Sequence, residues 1–197
     1  MRGKLVHNKP KAEPVMKINR VSPIRTTVYA IVSAFCLGGI ATAQEAALAE
    51  SSTDWAIYKV ENPLECFVVS APTTWRAERG GQAVDVRRSD IRLYISIIPS
   101  ENIANEPSFM AGYPLRTDGP AELRIGSASF ALFPNPEINA EYAWGKPDED
   151  NVLVDAMRNG AEAVVTGVSQ RGTTTIDTFS LIGFTAAIER ARELCAG

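Results

Sequence analysis

The sequence has few of the side chains that most often carry out chemistry. Its 197 residues include a single histidine, His7, and three cysteines, Cys36, Cys66 and Cys195. Histidine is the commonest general base and metal ligand, and His7 lies in an N-terminal segment that we expect to be removed. The sequence also contains no recognisable catalytic or cofactor motif. It therefore predicts no cofactor, no metal and no histidine-dependent enzyme.

The N-terminal segment has no apolar run long enough to span a bilayer. Residues 28–40 are apolar and uncharged, and these 13 residues fall short of the roughly 20 that a membrane-spanning helix needs. A basic stretch precedes them, and Ala41-Thr42-Ala43 follows as an A-x-A cleavage site. These three parts are typical of a secretory signal. We therefore predict a cleavable signal peptide over residues 1–43 and a periplasmic or envelope location; an uncleaved membrane anchor is the alternative.

Removal of this segment changes the charge of the chain. Seven of the 20 Lys and Arg residues lie in residues 1–43, but only one of the 23 Asp and Glu residues does. The mature protein, residues 44–197, therefore carries 13 basic residues against 22 acidic ones, a net charge of −9. A surface of this sign repels nucleic acid, so we expect no nucleic-acid partner. The mature chain also has no apolar run that predicts a transmembrane segment.

Two cysteines remain in the mature chain, Cys66 and Cys195. An even number of cysteines in an exported chain predicts a disulfide, and two buried free thiols are the alternative. The disulfide would close a loop of nearly the whole domain.

The hydrophobic pattern is mostly that of short strands. Ala121, Leu123 and Ile125 alternate with Glu122 and Arg124, the period of two of a half-buried strand. Residues 44–52 are rich in alanine and glutamate and predict a flexible leader before a single domain over residues 53–197. We predict strands at residues 55–60, 66–70, 84–88, 91–98, 108–114, 121–125, 130–133, 142–144, 163–169 and 173–179.

Two helices complete the pattern. Asp148 is a candidate N-cap for a short helix before the last strands, and Gly160 marks its end. Phe184, Ala187, Ile188, Ala191 and Cys195 then form one apolar stripe at helical spacing, with Ser180 as the expected N-cap. Because the helices do not alternate with the strands, we predict a mainly β fold, an antiparallel β-sandwich with a C-terminal helix.

Two segments near the C-terminus, at residues 169–173 and 177–187 before Cys195, form a specific pattern. Weaker segments at residues 54–55, 65–70, 86–91 and 112–114 accompany them. Together these segments resemble the invasion-associated locus B family of exported bacterial proteins.

The resemblance implies an immunoglobulin-like sandwich, a periplasmic or envelope location and no established enzyme activity. The family's paired cysteines map onto Cys66 and Cys195. Its founding members are associated with the entry of pathogens into red cells, but relatives occur in bacteria that invade nothing, so we do not carry that role over.

The candidate binding residues are charged or lie at a predicted turn: Arg87, Arg88, Asp90, Arg171, Thr173 and Asp177. On a strand, consecutive arginines point to opposite faces, so one of the first pair could reach the interior and meet a carboxylate such as that of Asp177. A structural ion pair is the alternative to a partner contact there, and an ordinary turn is the alternative at residues 171–173. Trp75, Tyr113 and Trp144 are candidate exposed anchors, whereas we expect Trp55 in the core.

We expect a non-catalytic protein that binds an envelope protein or glycan. Two other functions fit the sequence. A hydrolase could work with carboxylates alone, and Asp85, Asp90 and Asp177 are the candidates for it. The protein could also be an inhibitor or accessory subunit of an envelope enzyme.

We predict that signal peptidase cleaves after Ala43. N-terminal sequencing or the intact mass of the exported protein should then place Gln44 first, because the A-x-A site ends there. An exported protein that retains residues 1–43 would contradict the prediction.

Overall fold

The computed structural model describes residues 46–196, so the predicted signal peptide and its cleavage site lie outside the described residues. The described chain forms strands and two helices. The strands are β1 Ala47–Ser52, β2 Trp55–Glu61, β3 Leu64–Ser70, β4 Thr74–Arg79, β5 Gln82–Ala83, β6 Arg92–Ile98, β7 Ile103–Met110, β8 Ala121–Ile125, β9 Ala128–Asn135, β10 Asn139–Trp144, β11 Glu162–Val168 and β12 Thr174–Ser180. The helices are α1 Asp150–Asn159 and α2 Phe184–Ala196.

The strands form one open sheet of 12 strands, in the order β1-β2-β3-β6-β7-β10-β9-β8-β11-β12-β4-β5. The neighbouring strands pair antiparallel. Strand β9 belongs to both halves, since Phe133 and Pro134 pair with β10 whereas residues 128–132 pair with β8. The mainly antiparallel β fold is therefore confirmed, but the hydrogen bonding passes from one half of the sheet to the other through β9.

The apolar faces of the two halves share one core. Phe109 of β7 meets Phe179 of β12 edge to face, with ring centroids 6.3 Å apart, and both side chains are fully buried. The alternation in β8 places Leu123 in this core while Glu122 and Arg124 are exposed, as its period of two predicts. Two packed layers with one core are what a sandwich requires. The immunoglobulin-like form of that sandwich stays a prediction.

The C-terminal helix covers β2 and β3 of the first half. The apolar stripe predicted for this helix is buried, and Phe184 packs at 4.9 Å against the indole of Trp55. Cys195 at its end forms a disulfide with Cys66 of β3. Because the cysteines are 129 residues apart, the chain-entropy estimate for closing this loop is about 5 kcal/mol, an upper value.

Three local predictions are wrong. Helix α1 begins at Asp150 after Glu149, and no side chain caps it, so Asp148 is not the N-cap. Ser180 is not the N-cap of α2, because it ends β12 and its hydroxyl accepts a hydrogen bond from the Ile182 N–H instead. Residues 84–88 form no strand. The chain there crosses from β5 in one half of the sheet to β6 in the other, so it has no neighbouring strand to pair with.

The leader also differs from its expectation as a flexible segment. Residues 47–52 form β1, which pairs with β2 at the edge of the sheet. The side chains of this strand are mostly exposed, so the pairing depends on the backbone rather than on an apolar face. Gly183, at φ +87°, lets the turn before α2 approach the Ser52 carbonyl, where a Cβ would clash.

Asp150 is a buried acid at the start of α1. It is 8% exposed, and its Oδ1 is buried without a hydrogen-bond partner. Burial, followed by the negative charge of Glu106, raises the pKa of Asp150 to about 7. The ordinary pKa of an aspartate in an unfolded chain is about 3.9. The folded state therefore binds more protons than the unfolded state between about pH 4 and pH 7.

This pKa shift predicts that Asp150→Asn gains stability relative to the wild type as the pH rises. The favourable contribution of the protonated acid is complete below about pH 4 and is lost as the pH rises through about 7. Urea denaturation should therefore show a larger advantage for the variant at pH 8 than at pH 4. Asp155→Asn, at an exposed position of the same helix, should show no such change. An equal effect of Asp150→Asn at both pH values would contradict the prediction.

Candidate functional site

A buried ion pair lies beneath the candidate site. Arg88 NH1 lies 2.5 Å from Asp177 Oδ1, and Arg88 NH2 lies 2.8 Å from Asp177 Oδ2. The side chains are only 2% and 0% exposed. Arg88 Nε and NH2 also donate to the Ala111 carbonyl oxygen, at 2.9 and 2.7 Å. Because both carboxylate oxygens and the nearby carbonyl accept from the guanidinium, its burial is compensated by hydrogen bonds.

Aromatic rings enclose the same guanidinium. Its central carbon lies 5.3 Å from the centroid of the Trp75 ring and 5.1 Å from that of the Tyr113 ring. Cation–π contacts of this kind are stronger where water is excluded. The Tyr113 hydroxyl lies 2.7 Å from Thr175 Oγ1, and burial raises the pKa of Tyr113, which keeps the phenol neutral. Arg88 is therefore held by the fold and is not free to bind a partner.

The neighbouring chain is fixed close to this pair. The Ser89 N–H donates to the Gly112 carbonyl oxygen at 3.1 Å. Gly112 has φ +73°, and a Cβ there would lie 2.8 Å from the Ser89 carbonyl oxygen. A side chain at position 112 would therefore force the two segments apart. This close approach places residues 84–90 above the end of β7.

The hairpin between β11 and β12 forms the other side of the site. Its tip is closed by hydrogen bonds from Ser169 N–H to the Thr173 carbonyl and from Thr173 N–H to Ser169 Oγ, at 2.8 and 3.0 Å. Gly172 adopts φ +76°, as a tight turn requires. Arg79 of β4 donates to Thr173 Oγ1 from Nε at 3.2 Å and from NH2 at 2.6 Å. Thr173 is therefore a buried structural contact at the base of the tip.

These segments surround a cleft of about 620 Å³, which we call the arginine cleft. Four arginines line it: Arg79, Arg87, Arg88 and Arg171. Asp85 and Glu141 are its acidic lining residues. Arg87 and Arg171 are exposed, and within residues 46–196 neither guanidinium has a hydrogen bond or an ion pair. The cleft thus contains two guanidinium groups that are available to bind an anion, on a protein whose net charge is negative.

The arginine cleft brings together four of the six predicted site residues: Arg87, Arg88, Arg171 and Thr173. Asp177 lies beneath it, bound to Arg88. Asp90 does not line the cleft; it is exposed and pairs with Arg92 at 3.3 Å.

Sequence reasoning missed Arg79 and Glu141, because each reaches the cleft from a strand distant in sequence. Alternation of side chains along residues 74–79 is the signal that could have revealed β4. Even so, it would not have shown that Arg79 contacts Thr173.

The predicted aromatic anchors have different environments. Trp75 is 45% exposed beside Arg88, whereas Tyr113 and Trp144 are half-buried and Trp55 is in the core. Trp144 lines a second cleft of about 550 Å³ together with Phe133 and Glu106.

Two further features of the described chain bear on its chemistry. No helix in residues 46–196 is both long and apolar enough to cross a membrane. The same residues contain no group of three or more metal-ligating side chains placed to hold an ion.

The comparison with protein families supports the resemblance noted from the sequence. The family described as Invasion associated locus B (IalB) protein matches residues 139–192. The match spans β10, α1, β11, β12 and most of α2. It therefore includes Arg171 at the hairpin tip and Asp177 on β12. The resemblance to this family of exported bacterial proteins is thereby confirmed. The disulfide between Cys66 and Cys195 fits the oxidising compartment to which such proteins are exported. No curated protein and no solved structure matches the chain.

We predict that Arg88→Ala lowers the free energy of unfolding by about 3–5 kcal/mol, because the carboxylate of Asp177 would remain buried without its partner. Arg87→Ala is the matched control: among the residues that the structure describes, its exposed guanidinium has no hydrogen-bond or ion-pair partner, so the change should stay within about 0.5 kcal/mol. Urea denaturation of the mature protein measures both. Similar stabilities for the two variants would show that the buried pair does not support the fold.

Proposed function

We propose that the mature protein is a non-catalytic binding protein of the periplasm or cell envelope. In this proposal the arginine cleft holds an anionic group of another envelope component, a protein or a glycan. The observation that carries the proposal is the pair of exposed guanidinium groups, Arg87 and Arg171, which line one cleft and have no hydrogen bond or ion pair in the described part of the chain. Arginine forks match carboxylates in geometry as well as in charge.

The charge of the surroundings supports selective binding in the cleft. The mature chain has a net charge of −9, so an anionic partner is repelled by most of its surface. Asp177 neutralises Arg88, but three further arginines line the cleft against two acids, so the cleft is the favourable place for contact. A structural role accounts for Arg88 and Thr173, whereas the side chains of Arg87 and Arg171 make no hydrogen bond or ion pair within residues 46–196.

The carboxylate-dependent hydrolase is the weaker alternative. Asp177 is fully buried and both of its oxygens accept from Arg88, so it has no free carboxylate oxygen to present to a substrate. Asp90 does not line the cleft. Of the three aspartates that the sequence nominated, only Asp85 lines it, with Glu141 as the other acid. An inhibitor or accessory subunit of an envelope enzyme remains compatible with the proposal, because such a subunit also acts by binding.

The proposal predicts that capture of envelope material depends on the free arginines. Immobilised mature protein is incubated with envelope extract, and each retained component is quantified by mass spectrometry. Loss of one charge-assisted hydrogen bond costs about 1.5–3 kcal/mol, so the Arg87→Ala/Arg171→Ala variant should retain at least about tenfold less of the specific component. Arg124→Ala is the matched control, since Arg124 is exposed on β8 outside the cleft.

Two results would contradict the proposal. Equal capture by the double variant and the wild type, at matched concentrations of folded protein, would remove the cleft as the binding site. Steady hydrolysis of an envelope glycan that is abolished by Asp85→Asn or Glu141→Gln would show that the protein is an enzyme.

A further inference from the structure

One wall of the arginine cleft is a stretch of chain with unpaired backbone. Residues 85–88 all line the cleft. Val84 still donates to the Ala77 carbonyl, and Ser89 donates to Gly112. Between these two bonds, the described structure contains no backbone hydrogen bond from the N–H or C=O groups of residues 85–88. Four consecutive described residues therefore have unpaired backbone donors and acceptors, and in an extended chain the groups of every second residue point to the same edge.

The side chains of this wall alternate as they do in a strand. Asp85 and Arg87 are exposed, whereas Val86 is half-buried and the side chain of Arg88 is buried. The buried guanidinium of Arg88 anchors the segment from below. Exposed strand-like backbone without a neighbour is a template on which another chain can add by main-chain hydrogen bonds.

We propose that the ligand of the arginine cleft is an extended, acidic peptide segment of a partner protein, which pairs its backbone with residues 85–88. This inference rests on the proposed function, because it places the ligand in the same cleft. The four residues span about 13 Å, which suits a strand of four to six residues. A glycan would meet the arginines but has no regular series of N–H and C=O groups to pair with this backbone.

The free arginines determine the side chains that such a peptide carries. In an added strand, every second side chain lies on the face that Arg87 occupies, and directly opposed charges attract. Arg171 reaches the same cleft from the hairpin tip. The peptide should therefore carry an Asp or Glu opposite Arg87, and a neutral or basic residue opposite Asp85, which lies on the same face. Its remaining side chains lie toward Val86, where apolar or β-branched residues fit.

The first experiment selects peptides without assuming a sequence. A displayed library of random twelve-residue peptides is enriched on the mature protein and counter-selected on the Arg87→Ala/Arg171→Ala variant. We expect the enriched sequences to share an acidic residue with a non-acidic residue two positions to one side. We also expect binding at least tenfold weaker to the double variant than to the wild type or to Arg124→Ala. Failure to enrich any peptide on the wild type, or enrichment without acidic residues, would overturn the inference.

The second experiment tests the backbone pairing. In a paired edge strand, alternate N–H groups of the added peptide point toward the protein and the others point away. N-methylation of one alternate set in a selected peptide should weaken binding at least tenfold, and N-methylation of the other set should change it less than about threefold. Saturation with the unmodified peptide should also slow hydrogen exchange at least tenfold for the alternate amides of residues 85–88 that point toward the peptide.

The outcomes separate this inference from the proposed function. Equal effects of the two N-methylated peptides, without protection of residues 85–88, would overturn strand pairing but leave the cleft as an anion site. A second result would also overturn strand pairing and keep the cleft as an anion site. In it, capture from envelope extract requires Arg87 and Arg171, and the protein binds oligogalacturonate but no peptide, which would identify a glycan ligand. Loss of arginine-dependent capture would instead contradict the proposed function itself.

Discussion

The buried contact between Arg88 and Asp177 is the interaction on which the cleft depends. A buried guanidinium loses its hydrogen bonds to water. Here Asp177 and the Ala111 carbonyl replace them with four hydrogen bonds. Asp177 lies on β12 in one half of the sheet, whereas Ala111 follows β7 in the other. One side chain therefore ties both halves to residues 84–90. The aromatic rings beside it exclude water and strengthen the contact.

Adjacent arginines have opposite roles because of the alternation of an extended chain. The side chain of Arg88 points inward and is neutralised, whereas Arg87 points outward and keeps its charge. An ion pair that serves the fold thus holds a neighbouring cation at the cleft. Residues 44–197 carry a net charge of −9, so this local positive charge makes the cleft the more favourable place for an anion to approach.

The open sheet explains why residues 85–88 keep free backbone groups. A closed barrel would satisfy every strand, but here the chain leaves β5 at one end of the sheet and returns as β6 in the other half. The crossing segment is held at both ends by the bonds of Val84 and Ser89 and from below by Arg88. Its extended form is maintained without strand neighbours, which is the condition for accepting an added strand.

Local periodicity and composition were enough to predict several features of this protein. Alternation predicted β8 to the residue, the helical stripe predicted the buried face of α2, and cysteine parity predicted the bond between Cys66 and Cys195. Other features depend on neighbours that are distant in the chain, and these appear only once the chain has packed. Residues 84–88 have the composition of a strand but no partner, and residues 47–52 look like a leader but pair with β2. The cleft could not be read from the sequence, because Arg79, Arg87 and Arg171 meet only when the two halves of the sheet pack together.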